Sequence, residues 1–139
     1  MKQKGTVQQV NILSLRPNNW YINQAKLDSV RGAWQNGNQT ELPPVLVTRI
    51  DQEFSLIDGH ARTYAAFERG EKKIKARIID LDFIEGSTAL YKHIHRTGPA
   101  LGIHTIADLE DRIIEPEEHR RLWIGYCDRW LQENENEGR

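Results

Sequence analysis

The residues with the most chemical potential in this chain form one short run. Asp58-Gly59-His60-Ala61-Arg62-Thr63 comes directly after the apolar pair Leu56-Ile57. A strand that passes at once into a helix leaves the helix's first backbone N–H groups unpaired, at the positive end of its dipole. A glycine at the bend lets a ligand approach the backbone closely. The turn is therefore a candidate anion site over Gly59, His60, Ala61, Arg62 and Thr63, with phosphate as the natural ligand. His60 and Arg62 add side-chain donors, and a guanidinium can hold two phosphate oxygens at once. Asp58 suits three tasks: capping the helix, orienting His60 or Arg62, or holding Mg²⁺. The plainer reading is a turn and nothing more, since Asp-Gly is a common turn pair and short motifs recur by chance.

Around this run the sequence predicts the elements that must position it. Residues 7–15 read as a strand, stopped by Arg16-Pro17-Asn18-Asn19. Asn23 caps a helix over about 24–35 whose Leu27, Val30 and Trp34 share a face, with Gly37 closing it. Pro43-Pro44 imposes extended backbone before the short buried strand Val45-Leu46-Val47. Asp51-Gln52 turns this strand into Glu53–Ile57, a hairpin that delivers the Asp58 turn. A helix then runs from Ala61 to Arg69, and after it an alternating strand over 73–79 with Ile74, Ala76 and Ile78 inward. Beyond residue 84 the pattern is helical. Ser87 caps one helix, Thr105 with Asp108 makes a capping box, and Pro116 opens a long last helix with Leu122, Tyr126 and Trp130 along one side and Trp123, Cys127 and Leu131 adjacent, expected to pack through Leu122, Trp123, Tyr126 and Trp130. The expected fold is α/β in the α+β sense, a small mixed sheet with flanking helices. The expected units are residues 1–85, and a helical C-terminal extension over 86–139 packed on them.

Composition narrows the function classes. The chain has 139 residues and a formal charge of −1, so it exerts no global attraction on nucleic acid or anionic lipid. Residues 60–79 hold six Lys/Arg against two acids, and residues 108–118 hold six acids against one arginine. Solvated faces account for both runs, with a phosphate-facing patch the sharper reading of the first. Cys127 is the single cysteine, expected as a packed thiol, and no Cys/His cluster has zinc spacing. No apolar run approaches a membrane span, and the first residues lack a signal peptide's apolar stretch, so a reduced, cytoplasmic setting is expected.

Taken in order, Leu15 and Pro17, a helix, Pro43–Val47, Leu-Ile-Asp-Gly-His-x-Arg, Ala65-Ala66, Gly70 and a closing strand resemble the N-terminal domain of ParB proteins. That fold is shared with sulfiredoxins and free serine kinases. The resemblance covers residues 10 to 80, roughly half the chain. In ParB proteins the matching turn, Gly-Glu-Arg-Arg, contacts a nucleoside triphosphate; here it reads Gly59-His60-Ala61-Arg62. In sulfiredoxin a cysteine of the turn performs the redox step, and His60 stands in its place, which argues against that activity. The Asp-Gly-His-x-Arg form is most similar to the serine-kinase-type members, whose expected base is a glutamate near the first strand. The corresponding stretch here, Pro17-Asn18-Asn19-Trp20, has no carboxylate. Glu41, just before Pro43-Pro44, is the substitute base.

The resemblance implies a nucleotide tri- or diphosphate as cofactor, with Mg²⁺ as its companion. Asp58, His60 and Glu41 are the candidate catalytic groups for a small-molecule phosphotransferase or NTPase. The alternative is a non-catalytic DNA-associated or protein-binding regulatory module. DNA is the lesser expectation, because the helices beyond residue 86 mix Arg120, Arg121 and Arg129 with Glu117, Glu118 and Asp128 and offer no basic recognition face.

Overall fold

The computed structural model describes residues 5–137, and the side chains through residue 134. Strand β1 (Thr6–Asn11) ends in a tight turn at Ile12–Ser14, and the chain re-enters the sheet as β2 (Leu15–Pro17). The single strand expected over 7–15 is thus two. Its alternation breaks where Ile12 turns inward to the core, leaving Leu13 and Ser14 exposed.

The hairpin of β4 (Val45–Ile50) and β5 (Glu53–Asp58) turns on Asp51 and Gln52, both at positive φ. Helix α2 (His60–Glu68) starts one residue after β5, and β6 (Lys73–Ile78) returns beside β4. The sheet order is β1-β6-β4-β5-β2, with antiparallel outer (β1·β6) and hairpin (β4·β5) pairs and parallel β4·β6 and β2·β5 pairs. In β5, Leu56 pairs with Val47 and Asp58 with Leu46, so Ile57 is an extra residue. Such a bulge bends the strand and re-aims the chain beyond it. In this strand it re-aims the Asp58-Gly59 bend.

Helix α1 (Gln24–Gln35) starts where expected: the Asn23 side chain accepts from the N–H groups of Ala25 and Lys26. A two-residue strand, β3 (Ile22–Asn23), precedes it and pairs in parallel with β7 (Ile113–Ile114). This small ladder has no periodic signature, and it ties the C-terminal part of the chain to the start of α1.

The extension contains α3 (Thr88–Thr97), capped by Ser87, and a 3₁₀ segment over Ile106–Arg112, capped by Thr105 and Asp108 as expected. The last helix is continuous from Pro116 through α4 (Pro116–His119), a π turn (Arg120–Ile124) and α5 (Gly125–Glu137). The π turn inserts a residue into the helical repeat and shifts the apolar face. Trp123, with Tyr126, Cys127, Trp130 and Leu131, packs on the core, while the expected Leu122 lies outside that cluster. Burial raises the Cys127 thiol pKa to about 11, so it is an inert packed group.

One core unites the sheet and the extension. Leu27, Val45, Val47, Leu56, Ala65 and Ala76 pack in the same cluster as Leu90, Ile94, Ile103, Ile106, Leu109 and Trp123. Trp123 meets Trp20 edge-on at 5.2 Å between ring centroids, and Tyr126 meets the same ring at 5.2 Å. Loss of a buried tryptophan costs roughly 3–5 kcal/mol. Trp123→Ala should lower the unfolding free energy by that amount in urea denaturation, and removal of residues after 114 should lower it further. An unchanged midpoint for either variant would show the last helix to be an independent arm.

Candidate functional site

Gly59 sits at φ 106°, in the left-handed region, between the end of β5 and the start of α2. A Cβ on this residue would lie 2.5 Å from Val45 Cγ1 and 3.1 Å from Arg62 Nη2. Only glycine satisfies both the dihedral and the contact. No side chain caps α2, so the N–H groups of its first turn have no capping partner.

That open helix end faces a cleft of about 410 Å³. One wall is Ile57 through Arg62; the others are Tyr21 and Asn23 before α1, Lys26 and Val30 on it, Leu42 and Pro43, and His119. Two helix N-termini therefore bear on the same space. Lys26 lies in the first turn of α1, where the helix dipole disfavours a cation. Its side chain makes no hydrogen bond or ion pair among the described residues, and no acid occupies that turn to balance it.

His60 is buried, and its Nε2 accepts the backbone N–H of Asn18 at 3.1 Å, a donor shared with the Leu56 carbonyl at 2.9 Å. Burial, reinforced by His119, Arg62 and Lys26, lowers its pKa to about 3. His60 is therefore a neutral imidazole with Nε2 engaged, and the proton this tautomer requires is on Nδ1. It offers the cleft one neutral donor, not a cation, and its occupied Nε2 does not serve as a base.

Arg62 is differently placed from the expected phosphate fork. Its Nη1 donates to the carbonyls of Pro43 at 2.7 Å and Pro44 at 2.9 Å, and its Nη2 lies 3.2 Å from Asp58 Oδ2. With its side chain only 16% exposed, the guanidinium ties the Pro-Pro segment to the turn. Asp58 is 75% exposed at the cleft rim and has one oxygen on Arg62, leaving the rest of its carboxylate open. The Thr63 hydroxyl donates to the Gly59 carbonyl at 2.8 Å, so it closes the helix and does not line the cleft. Ala61 lines it with backbone and methyl. Glu41 is exposed at the end of a 3₁₀ turn (Gln39–Glu41); its neighbours Leu42 and Pro43 line the cleft, and it does not.

The structure thus brings together Asp58, Gly59, His60, Ala61 and Arg62, sets Thr63 behind them and leaves Glu41 aside. It adds Lys26 and His119, which sequence reasoning passed over. A lysine against the dipole of an asparagine-capped helix was a legible signal for the first. Nothing local marked the second.

A family model described as the ParB N-terminal domain matches residues 1–90. The chain belongs to the ParB N-terminal domain family. Among solved structures it is similar to protein Atu1540 from Agrobacterium tumefaciens, at 18% identity and TM-score 0.46 over 54% of this chain and 39% of that one. It is similar to sulfiredoxin from Arabidopsis thaliana at 16% identity and TM-score 0.44, over 64% of this chain and 96% of that one. It is also similar to a Pnob8-like ParB-N domain at 21% identity and TM-score 0.43, covering 54% of this chain and 29% of that one. The match therefore spans well under half of the Agrobacterium and ParB-N chains. A search of curated protein sequences finds no significant match. Among the described residues no helix is long and apolar enough to cross a membrane, and no group of three or more His, Cys, Asp or Glu is placed to hold a metal ion.

Two measurements test this account of the ParB-family turn. Arg62→Ala removes charge-assisted bonds to two carbonyls and should cost roughly 1.5–3 kcal/mol of stability, with Arg62→Lys recovering only part. Equal denaturation midpoints for wild type and Arg62→Ala would contradict the clamp. The second concerns acid. His60 has a folded pKa below its ordinary 6.5, so the unfolded chain binds the proton more readily. Its contribution is fully present above about pH 6.5 and falls away as pH drops toward about 3. His60→Gln, which keeps an acceptor but does not titrate, should flatten the pH dependence of the melting temperature across that window.

Proposed function

We propose that this domain binds the phosphate end of a nucleotide in the cleft at the Asp58–Arg62 turn. The reading is carried by one observation: the uncapped N-terminus of α2, bent open by Gly59, faces the unpaired Lys26 across a cleft. Backbone N–H groups, the His60 Nδ1–H and an ammonium group are the donor set a phosphate requires. Arg62 holds the turn in shape, and Asp58 is the group able to reach the phosphates through Mg²⁺, which keeps most of its waters and needs only one or two carboxylates.

The donor set supports binding more directly than turnover. Asp58 is the one carboxylate among the cleft's lining residues, and Glu41 stands outside it. A phosphotransferase or NTPase would use Mg²⁺ on Asp58 to neutralise charge and the helix N-terminus to position the phosphates. A regulatory module would use the same contacts with no acceptor.

A thermal-shift panel of ATP, ADP, CTP and GTP, with and without Mg²⁺, tests the reading, because a ligand of the folded state raises the melting temperature by mass action. Lys26→Ala should weaken the bound nucleotide by roughly 1–2 kcal/mol and reduce the salt dependence of binding, with the fold unchanged. Asp58→Asn should matter more with Mg²⁺ than without it. Calorimetry showing no heat and no shift with any nucleotide or with inorganic phosphate would leave the turn with a structural role alone.

A further inference from the structure

His119 lies outside the residues matched by the family model, yet it forms part of the cleft wall. It is 9% exposed, and its side chain makes no hydrogen bond or ion pair among the described residues. Neither ring nitrogen is among the sealed, unpartnered polar atoms, so both keep access to open space. The ring is thus fixed by packing while its two nitrogens remain available to water or to a ligand in the cleft. Two features of the fold hold the ring in this position. The β3·β7 ladder sets Ile113 and Ile114 beside Ile22 and Asn23, and Pro116 starts a helical turn whose last residue is His119, its N–H bonded to the Glu115 carbonyl.

The charged and titratable groups around it come from three elements. Lys26 faces it from α1, and His60, Asp58 and Arg62 from the β5–α2 turn. On its own helix, Glu117 is paired with Arg120, and Glu118 lies near Arg121. Asp58 is likewise paired with Arg62, so Lys26 is the unbalanced charge on this side. Burial first, and Lys26 second, hold the His119 pKa below its ordinary value. A dianionic phosphate entering the cleft reverses that balance.

We infer that His119 is a contact of the bound phosphate, supplied by the C-terminal extension, and that it takes up a proton from solvent when the anion binds. This rests on the phosphate-binding reading above and adds a linkage to it. The neutral ring becomes an imidazolium that donates to a phosphate oxygen. Affinity therefore falls as pH rises through the ring's ligand-bound pKa.

Isothermal titration of ADP and of inorganic phosphate into the full chain, in two buffers of different ionisation heat, counts the protons taken up. Near neutral pH the wild type should take up more protons per ligand than His119→Gln, by up to about one. The ligand's own ionisation is common to both proteins, so the difference reads His119 alone. The substitution should weaken binding by about tenfold at the acid end of the range, where a charge-assisted contact is lost, and by less at the alkaline end. Should His119→Gln fold poorly, the ring is tracked directly in the wild type by NMR, where its pKa must rise on adding ADP. An unmoved ring pKa, or equal proton counts and affinities in the two proteins, overturns this inference alone if the Gly59–Arg62 amides still shift with ligand. Absence of any amide shift in the wild type overturns it together with the phosphate-binding reading.

Discussion

The bend at Gly59 is the constraint on which the rest of the site depends. The backbone there must be left-handed, and the Val45 side chain leaves no room for a Cβ. β4 lies in the middle of the sheet, and Val45 is buried and held in register against Ala76 of β6. The path of the turn is therefore set by the sheet's centre, and the direction of α2 is set with it. The Ile57 bulge supplies the twist that lets β5 leave the sheet at this point.

Two polar clamps then lock the turn. Arg62 reaches back to the Pro43 and Pro44 carbonyls, groups that extended Pro-Pro backbone leaves unpaired at the entry to β4. His60 reaches across to the Asn18 N–H. From Asn18 the bonding continues inward: its Nδ2 donates to Ser55 Oγ at 2.9 Å, and Ser55 Oγ lies 3.0 Å from His95 Nδ1. His95 Nε2 in turn meets Glu53 Oε1 at 3.0 Å, beside Arg16. A continuous polar thread thus runs from the turn, under the sheet's edge, to α3. It binds the extension to the family domain in a way that apolar packing alone would not orient.

Several features were readable because they rest on local rules. Asn23 and Ser87 act as caps, Thr105 and Asp108 form their reciprocal box, and Asp51-Gln52 turns the hairpin at positive φ. Each depends on a few residues in sequence order. The errors have equally definite causes. The strand expected over 7–15 failed because Ile12 was drawn into the core; of the contacts expected from the last helix, Trp123, Tyr126 and Trp130 reach the core and Leu122 does not, in a stretch that includes a π turn no spacing rule foresees.

By itself the sequence determined the composition of the turn: a glycine between a strand and a helix, and donors on the helix's first residues. It also determined the family, since the order of pieces from Leu15 to Ile79 is a linear property. Tertiary structure alone decided which donors remain free. Arg62 is engaged because two proline carbonyls, 18 and 19 residues earlier, fold against it. His60 is neutral because the fold buries it, with Asn18, 42 residues before it, donating to its Nε2. Lys26 belongs to the cleft because α1 packs against α2, and His119 because β3 and β7, distant in sequence, form a two-residue ladder. Local rules specify which groups a turn can offer, but whether a buried polar group is already satisfied depends on partners that only the folded chain brings within hydrogen-bond distance.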